Sequence, residues 1–256
     1  MHSSITVLRT FKFFFFSITL LFSSQAMAQG LTGTENGEWR YLGGDAGNTR
    51  YSPLNQINAS NFSDLEQAWI WRSDNFGPNL DYFSRSTPVY VDGMLYTVAT
   101  PRRQVIAMDP ATGENIWTFR EPATIRHQRS PRQAYGKGVA YAEVDGRGVV
   151  YITTPGFFLW ALDAKTGRPL ENWGEPVPLD GFEQTGAVDL IPKLVEDWGP
   201  WQDYVVAGGS YDPDYGIPRE LGMVTASAPP IVVNGVVVVL VGHQPSYGQT
   251  RIENVP

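Results

Sequence analysis

The chain has 256 residues, 42% of them apolar, 13% aromatic and 18% charged, with no cysteine, which excludes a disordered, collagenous or disulfide-stapled protein. Nineteen basic against 26 acidic side chains give a net charge of −7, and that argues against a nucleic-acid backbone as the main partner. Twenty-six glycines, 19 prolines, 8 tryptophans and 12 tyrosines favour turns and aromatic anchors over long helices.

Residues 1–28 carry Arg9 and Lys12, an apolar run from Phe13 to Phe22, and then Ala26-Met27-Ala28. A positive start, a short apolar core and a small-x-small end predict a secretory signal peptide cleaved after Ala28. The apolar core is about ten residues, short of the ~20 that span a bilayer. Cleavage removes two basic residues and no acid, leaving a net charge of −9. No thiol stands beside the cleavage site to take a lipid anchor, since Gln29 follows, so a periplasmic or secreted protein is expected.

Ser63-Asp64-Leu65-Glu66-Gln67-Ala68-Trp69 predicts a short helix, with Ser63 as cap and Glu66 three residues on. Val89-Tyr90-Val91 and Met94 to Val98 flank Asp92-Gly93, the signature of a β-hairpin. Ala107-Met108-Asp109-Pro110-Ala111-Thr112-Gly113 follows, with Trp117 on the return. The same element recurs as Ala161-Leu162-Asp163-Ala164-Lys165-Thr166-Gly167, closing with Trp173, and the two aspartates lie 54 residues apart. At a strand end the aspartate accepts N–H bonds from the turn, the glycine supplies a positive φ, and the tryptophan offers a face for the next unit.

Between Arg120 and Lys137 lie Arg126, Arg129 and Arg132, with His127 beside them and only Glu121 against them. Such a segment reads either as an anion site or as a solvated loop. Residues 176–224 are rich in Pro and Gly and read as a long insertion carrying Trp198 and Trp201. A third hairpin follows, Ile231-Val232-Val233 and Val236 to Val241 around Asn234-Gly235, again after a proline. Asp212-Pro213-Asp214 lacks EF-hand spacing and reads as a turn.

A repeat of roughly 50 residues built from four antiparallel strands predicts an all-β fold, a β-propeller. One blade is expected over residues 85–120, a second over 138–175, and the start of a third from 225 onward. A closed propeller takes ~4–8 blades, so residues 29–256 are expected to be the N-terminal part of a longer protein.

Glu38-Trp39-Arg40-Tyr41-Leu42-Gly43-Gly44-Asp45-Ala46-Gly47-Asn48-Thr49-Arg50-Tyr51-Ser52-Pro53-Leu54-Asn55-Gln56-Ile57 resembles the opening of the pyrroloquinoline quinone (PQQ) dependent dehydrogenases. Leu159-Trp160-Ala161-Leu162-Asp163-Ala164-Lys165-Thr166-Gly167 resembles their blade signature. The branch it looks most like is the glucose dehydrogenase type. The resemblance implies an eight-bladed propeller with PQQ on its axis, a Ca²⁺ ion beside the quinone, and oxidation of a sugar or alcohol hydroxyl. Electrons would pass to a membrane quinone or a cytochrome c.

By the same resemblance, Lys137 and Gly138 in Gly136-Lys137-Gly138-Val139-Ala140-Tyr141 match the family's cofactor-holding Arg-Gly-Val-Ala-Tyr. Ser227 matches a hydroxyl that bonds a PQQ carboxylate. Gly242 and His243 fall near a loop that reaches the quinone and metal, although His243 also reads as a strand-end histidine satisfied by backbone. Arg132 and Gln133 lie where relatives place adjacent cysteines or a cofactor-binding histidine. The catalytic aspartate and the metal ligands are expected beyond Pro256, so this stretch alone is expected to be inactive. Arg85 stands where the alcohol branch has a glutamate, and the vicinal disulfide is absent, which counts against a methanol-type enzyme. The other functional class is a non-catalytic propeller of the same repeat acting as a periplasmic binding or assembly scaffold.

Overall fold

The computed structural model describes residues 33–76, 85–100, 103–122, 127, 130, 136, 138–176, 186–195, 223–224 and 228–242. Asp92 and Gly93 both take a positive φ, 50° and 73°. That is the two-residue turn whose twist matches antiparallel strands, and it joins β1 (Val89–Val91) to β2 (Met94–Ala99). The chain continues through β3 (Gln104–Met108) and β4 (Asn115–Phe119), making a four-stranded antiparallel sheet in sequence order. Asp145 and Gly146 repeat the turn between β5 (Ala140–Val144) and β6 (Arg147–Thr153), with β7 (Phe158–Asp163) next to them.

The second sheet departs from the expected blade at 138–175. Its fourth strand is split. Arg168 and Leu170 pair back onto β7, through Asp163 N to Arg168 O at 2.8 Å and Leu170 N to Ala161 O at 2.9 Å. The chain then leaves through β8 (Glu175–Pro176) and resumes the ladder as β9 (Gly186–Asp189), inside the region read as an insertion. The Leu170 carbonyl staples the two halves, accepting from Trp173 N at 3.3 Å and Gly186 N at 3.1 Å. Pro169, without an N–H, sits at the break. A six-residue helix, α1 (Leu190–Val195), follows.

A two-stranded pair, β10 (Met223–Val224) with β13 (Val241–Gly242), lies outside a third hairpin, β11 (Ile231–Val233) and β12 (Val236–Val238). Val232, Val237 and Val239 pack on the second sheet. Ile231, Val233, Val236 and Val238 stay 44–61% exposed on the opposite face. The equivalent Val89 and Val91 of the first sheet are buried against the second sheet.

The aspartate turns behave as their composition requires. Asp109 Oδ1 accepts from Ala111 N (2.8 Å) and Thr112 N (2.9 Å), and Asp163 Oδ1 from Lys165 N (3.1 Å) and Thr166 N (2.8 Å). Gly113 and Gly167 hold φ of 73° and 70°. A Cβ on Gly167 would fall 2.4 Å from the Trp117 ring, so the tryptophan of one sheet lies flat on the turn of the next. Trp117 Nε1 and Tyr96 Oη both donate to Ala164 O, at 2.9 and 3.1 Å. Each bond contributes about 0.5–1.5 kcal/mol net. Burying one large apolar side chain contributes ~1.5–3 kcal/mol. Val89, Val91, Val105, Phe158, Trp160 and Leu162 all meet at this seam, so apolar burial dominates it.

The helix expected over Ser63–Trp69 is absent. Phe62–Asp64 forms one 3₁₀ turn, with Asn61 rather than Ser63 at its start, and residues 65–72 take no regular secondary structure. Tertiary docking overrides the local signal. Trp69 Nε1 donates to Pro110 O at 3.0 Å, and a Cβ on Gly113 would fall 2.7 Å from the Trp69 ring. Trp69 thus docks on the first sheet as Trp117 docks on the second.

Asp109 and Asp163 also contribute to the acid limit of the fold, together with Glu35, Glu38 and Asp45, whose carboxyls are lowered too. The N–H groups of Thr112 and Ala111 hold the Asp109 carboxyl below its ordinary value. Burial pushes Asp163 up, but the hydrogen bonds from Arg147 (2.6 Å) and Thr166 outweigh it and leave the carboxyl lowered. A carboxyl lowered in the folded state stabilises above its unfolded value of about 3.9, and that contribution disappears as pH falls through the folded value. Urea melts of the full-length protein from pH 7 to pH 3 are therefore expected to show flat stability to about pH 4 and a fall below it. Asp163→Asn is expected to flatten that fall; an unchanged acid profile would contradict the assignment.

Candidate functional site at the loop end of the sheets

Antiparallel topology sorts the loops to two ends. The Asp92-Gly93 and Asp145-Gly146 hairpins and the two aspartate turns share one end. At the other end lie the β2–β3 and β6–β7 turns, the exit of β4, and the entries to β5 and β1. The candidates divide accordingly. Gly138 lies two residues before β5 and Gly242 ends β13, paired with Met223. Lys137, Arg132, Gln133, Ser227 and His243 lie outside the described residues.

Gly138 takes φ of 144°, and a Cβ there would approach Thr87 O to 3.0 Å. Only glycine adopts this backbone without strain. Ser86, beside Thr87, ties the entry of β1 to β2: its Oγ lies 3.0 Å from Thr97 Oγ1 and accepts from Val98 N at 3.1 Å. Replacing Gly138 by valine is expected to cost about 1–3 kcal/mol. Gly93, with nothing within 4 Å of an added Cβ, is the comparison: Gly93→Ala meets backbone strain alone. Urea denaturation of both variants checks this, and equal losses would contradict the packing argument.

Gly136 rests on a buried arginine. A Cβ at Gly136 would lie 3.5 Å from Arg103 Cδ. Arg103 is 2% exposed and donates through Nη1 to Thr153 O, a long bond of 3.5 Å. Its turn is strained, with φ of 73° at Thr100 and 49° at Arg103. Buried Glu121 reaches the adjacent β6–β7 turn, where Oε1 accepts from Gly156 N at 2.9 Å. Glu121 is therefore a tie between the two sheets. His127 is buried as well. The Thr100 and Thr153 hydroxyls are buried at this end without a hydrogen-bond partner among the described residues. The sequence offered no signal for Arg103, because an arginine two residues after a proline in a turn reads as surface.

The opening motif, the most specific stretch of the sequence, is elsewhere and structural. Trp39 exchanges backbone hydrogen bonds with Tyr90 at 2.8 and 3.0 Å, extending the first sheet beyond β1. Arg40 lies over the Tyr141 ring at 5.7 Å and pairs with Glu38 and with Glu143 at 3.3 Å. Glu38, Arg40, Tyr141 and Glu143 line a groove at the hairpin end with Arg147 and Asp163, away from Gly138. Among the described residues no three His, Asp or Glu side chains are grouped to hold a metal ion.

The sequence matches the family of PQQ-containing glucose/ethanol/alcohol dehydrogenases, β-propeller domain, over residues 39–251. It is 34% identical over 183 residues to quinohemoprotein alcohol dehydrogenase ADH IIB of Pseudomonas putida, covering 70% of this chain and 25% of that protein. Against the glycerol dehydrogenase large subunit of Gluconobacter thailandicus it is 31% identical over 225 residues, 84% of this chain and 26% of the relative. The solved quinohemoprotein alcohol dehydrogenase of Comamonas testosteroni superposes with a TM-score of 0.51 at 26% identity, over 81% of this chain and 24% of that one. The chain thus spans about a quarter of the length of these relatives.

Proposed function

Since the chain belongs to the β-propeller family of the PQQ-dependent glucose, ethanol and alcohol dehydrogenases, we propose that its sheets form part of an exported quinoprotein that oxidises an alcohol or polyol hydroxyl. The match over residues 39–251 carries this reading. The relatives described above are named for alcohol and glycerol oxidation. The glucose-type reading comes from the motif resemblance, with Arg85 and the missing cysteine pair counting against a methanol-type enzyme, so glucose belongs in the test beside alcohols and glycerol. A cytochrome c or a membrane quinone is the proposed electron acceptor, and export follows from the signal-like residues 1–28.

The loop end suits a flat, multiply charged carboxylate. Gly138 has no Cβ to strike Thr87 O, and the Thr100 and Thr153 hydroxyls, without a hydrogen-bond partner among the described residues, keep that end polar. In this reading Lys137 donates charge-assisted hydrogen bonds to a PQQ carboxylate, and Ser227 donates through its hydroxyl. Gly136 and Gly138, flanking Lys137, let the main chain approach closely. In the same reading Arg132 and Gln133 add donors, and Gly242 and His243 contribute from the chain that follows the third hairpin. When bound, PQQ supplies a quinone that takes up two electrons from the hydroxyl-bearing carbon, with Ca²⁺ as a Lewis acid beside it.

The test is dye-linked oxidation by the full-length protein reconstituted with PQQ and Ca²⁺, against primary alcohols, glycerol and glucose. Dye reduction that requires PQQ and is faster with an alcohol or glycerol than with glucose is expected. PQQ binding with no dye reduction on any of these substrates would overturn the proposed activity.

A further inference from the structure

Trp69 repeats, one sheet earlier, a contact that a strand makes elsewhere. Trp117 of β4 lies on Gly167 in the turn of the second sheet and donates from Nε1 at 2.9 Å to Ala164 O, the carbonyl that follows Asp163. Trp69 lies on Gly113 in the turn of the first sheet and donates from Nε1 at 3.0 Å to Pro110 O, the carbonyl that follows Asp109. The match continues along the chain. Two residues on, Phe119 is buried in the seam and Trp71 packs on Ala99, Ile106 and Met108. Between them, Thr118 and Ile70 are exposed. Alternation every second residue is the period of a strand. Residues 68–71 thus stand to the first sheet as residues 116–119 stand to the second.

β4 holds its position as the fourth strand of a sheet. Residues 66–72 hold theirs without one, since among the described residues none of their backbone groups bonds to another backbone group. A strand edge left in that state is a template for pairing. No strand precedes β1 among the described residues, and the third hairpin packs on the second sheet. One face of the first sheet, through Val89, Val91 and Val105, is buried against the second sheet, and the other, through Ile106 and Met108, is covered by Trp69, Trp71 and Phe76.

We propose that residues 66–72 are the outer strand of a further sheet, whose other strands come from the C-terminal part of the full-length chain, so that this pairing closes the ring of sheets. The chain spans about a quarter of the length of its relatives, which leaves ample chain to supply them. No cofactor enters the pairing, so a protein that binds no PQQ would leave it standing.

Hydrogen exchange in the cofactor-free, full-length protein shows whether the ladder exists. In a strand with one partner alternate amides are bonded, and those of residues 67–71 are expected to exchange within about tenfold of the bonded amides of β4. Trp69→Ala is expected to speed them about tenfold, and Trp69→Phe to stay within about threefold of the parent. A benzophenone amino acid in place of exposed Ala68 shows where the partner comes from. On irradiation, a cross-link within one molecule to a peptide C-terminal to Pro256 is expected. Free-chain exchange throughout residues 66–72, or exchange indifferent to Trp69→Ala, would overturn the proposal. So would cross-links that fall only within residues 1–256, that join two copies or that do not form.

Discussion

Trp160→Ala is expected to destabilise the full-length protein by about 3–5 kcal/mol, the range for removing a large buried aromatic side chain. Trp160 is fully buried in β7, at the centre of the seam between the first two sheets. Its ring lies 5.2 Å from Phe119 of the first sheet and 5.9 Å from Phe158 of its own. Its Nε1 donates to Thr154 Oγ1 at 3.2 Å. Truncation leaves a cavity between two sheets that are each held by their own ladders, so the surroundings collapse only partly. A typical domain has about 5–15 kcal/mol in all, so the variant is expected to lie near the limit of folding at 37 °C. Trp160→Phe retains most of the volume and is expected to lose less. Urea melts followed by fluorescence and circular dichroism measure both, and a loss under about 1 kcal/mol for Trp160→Ala would show that the seam is not the core.

Lys137→Ala is expected to weaken PQQ binding by the full-length protein about 10- to 100-fold. One hydrogen bond to a charged group contributes roughly 1.5–3 kcal/mol, and each 1.4 kcal/mol is about tenfold in affinity. Lys137→Arg preserves the cation and is expected to stay within a few-fold of the parent, because arginine also matches carboxylate. Thermal stability of the cofactor-free protein is expected to change little in either variant. Unaltered PQQ affinity in Lys137→Ala would remove Lys137 from the site.

What was legible in the sequence is what local chemistry decides. The Asp-Gly and Asn-Gly hairpins are settled by two adjacent residues that take a positive φ, the Asp109 and Asp163 turns by a side chain and the next few N–H groups, and they form as read. The docking role given to tryptophan was also legible in Trp117. Its partner in Trp69 was not, because a segment without regular secondary structure, docked on a distant turn, carries a helical cap signal of its own at Ser63 and Glu66. The fourth strand of the second sheet was hidden for a related reason: it resumes at Gly186, 16 residues after Leu170, and the halves meet through the Leu170 carbonyl and their shared pairing to β7.

The candidate site was legible in part. Motif resemblance singled out Gly138, whose φ of 144° and contact with Thr87 O explain why glycine is required there. It could not reach Arg103, whose burial is produced by the seam between two sheets rather than by its neighbours in sequence. The opening motif was the best marker of family and proved to be the edge of the first sheet, through Trp39 and Tyr90. Specificity of a motif for a family and closeness to chemistry are separate properties in this protein.

The central claim is that the loop end of these sheets holds PQQ. Its most direct test is an equilibrium titration of the cofactor-free, full-length protein with PQQ in the presence of Ca²⁺, followed by the absorbance of the quinone. Saturable binding to a single site, weakened by Lys137→Ala and by Gly138→Val, is the predicted result. Absence of saturable binding, or binding indifferent to both substitutions, would contradict the account.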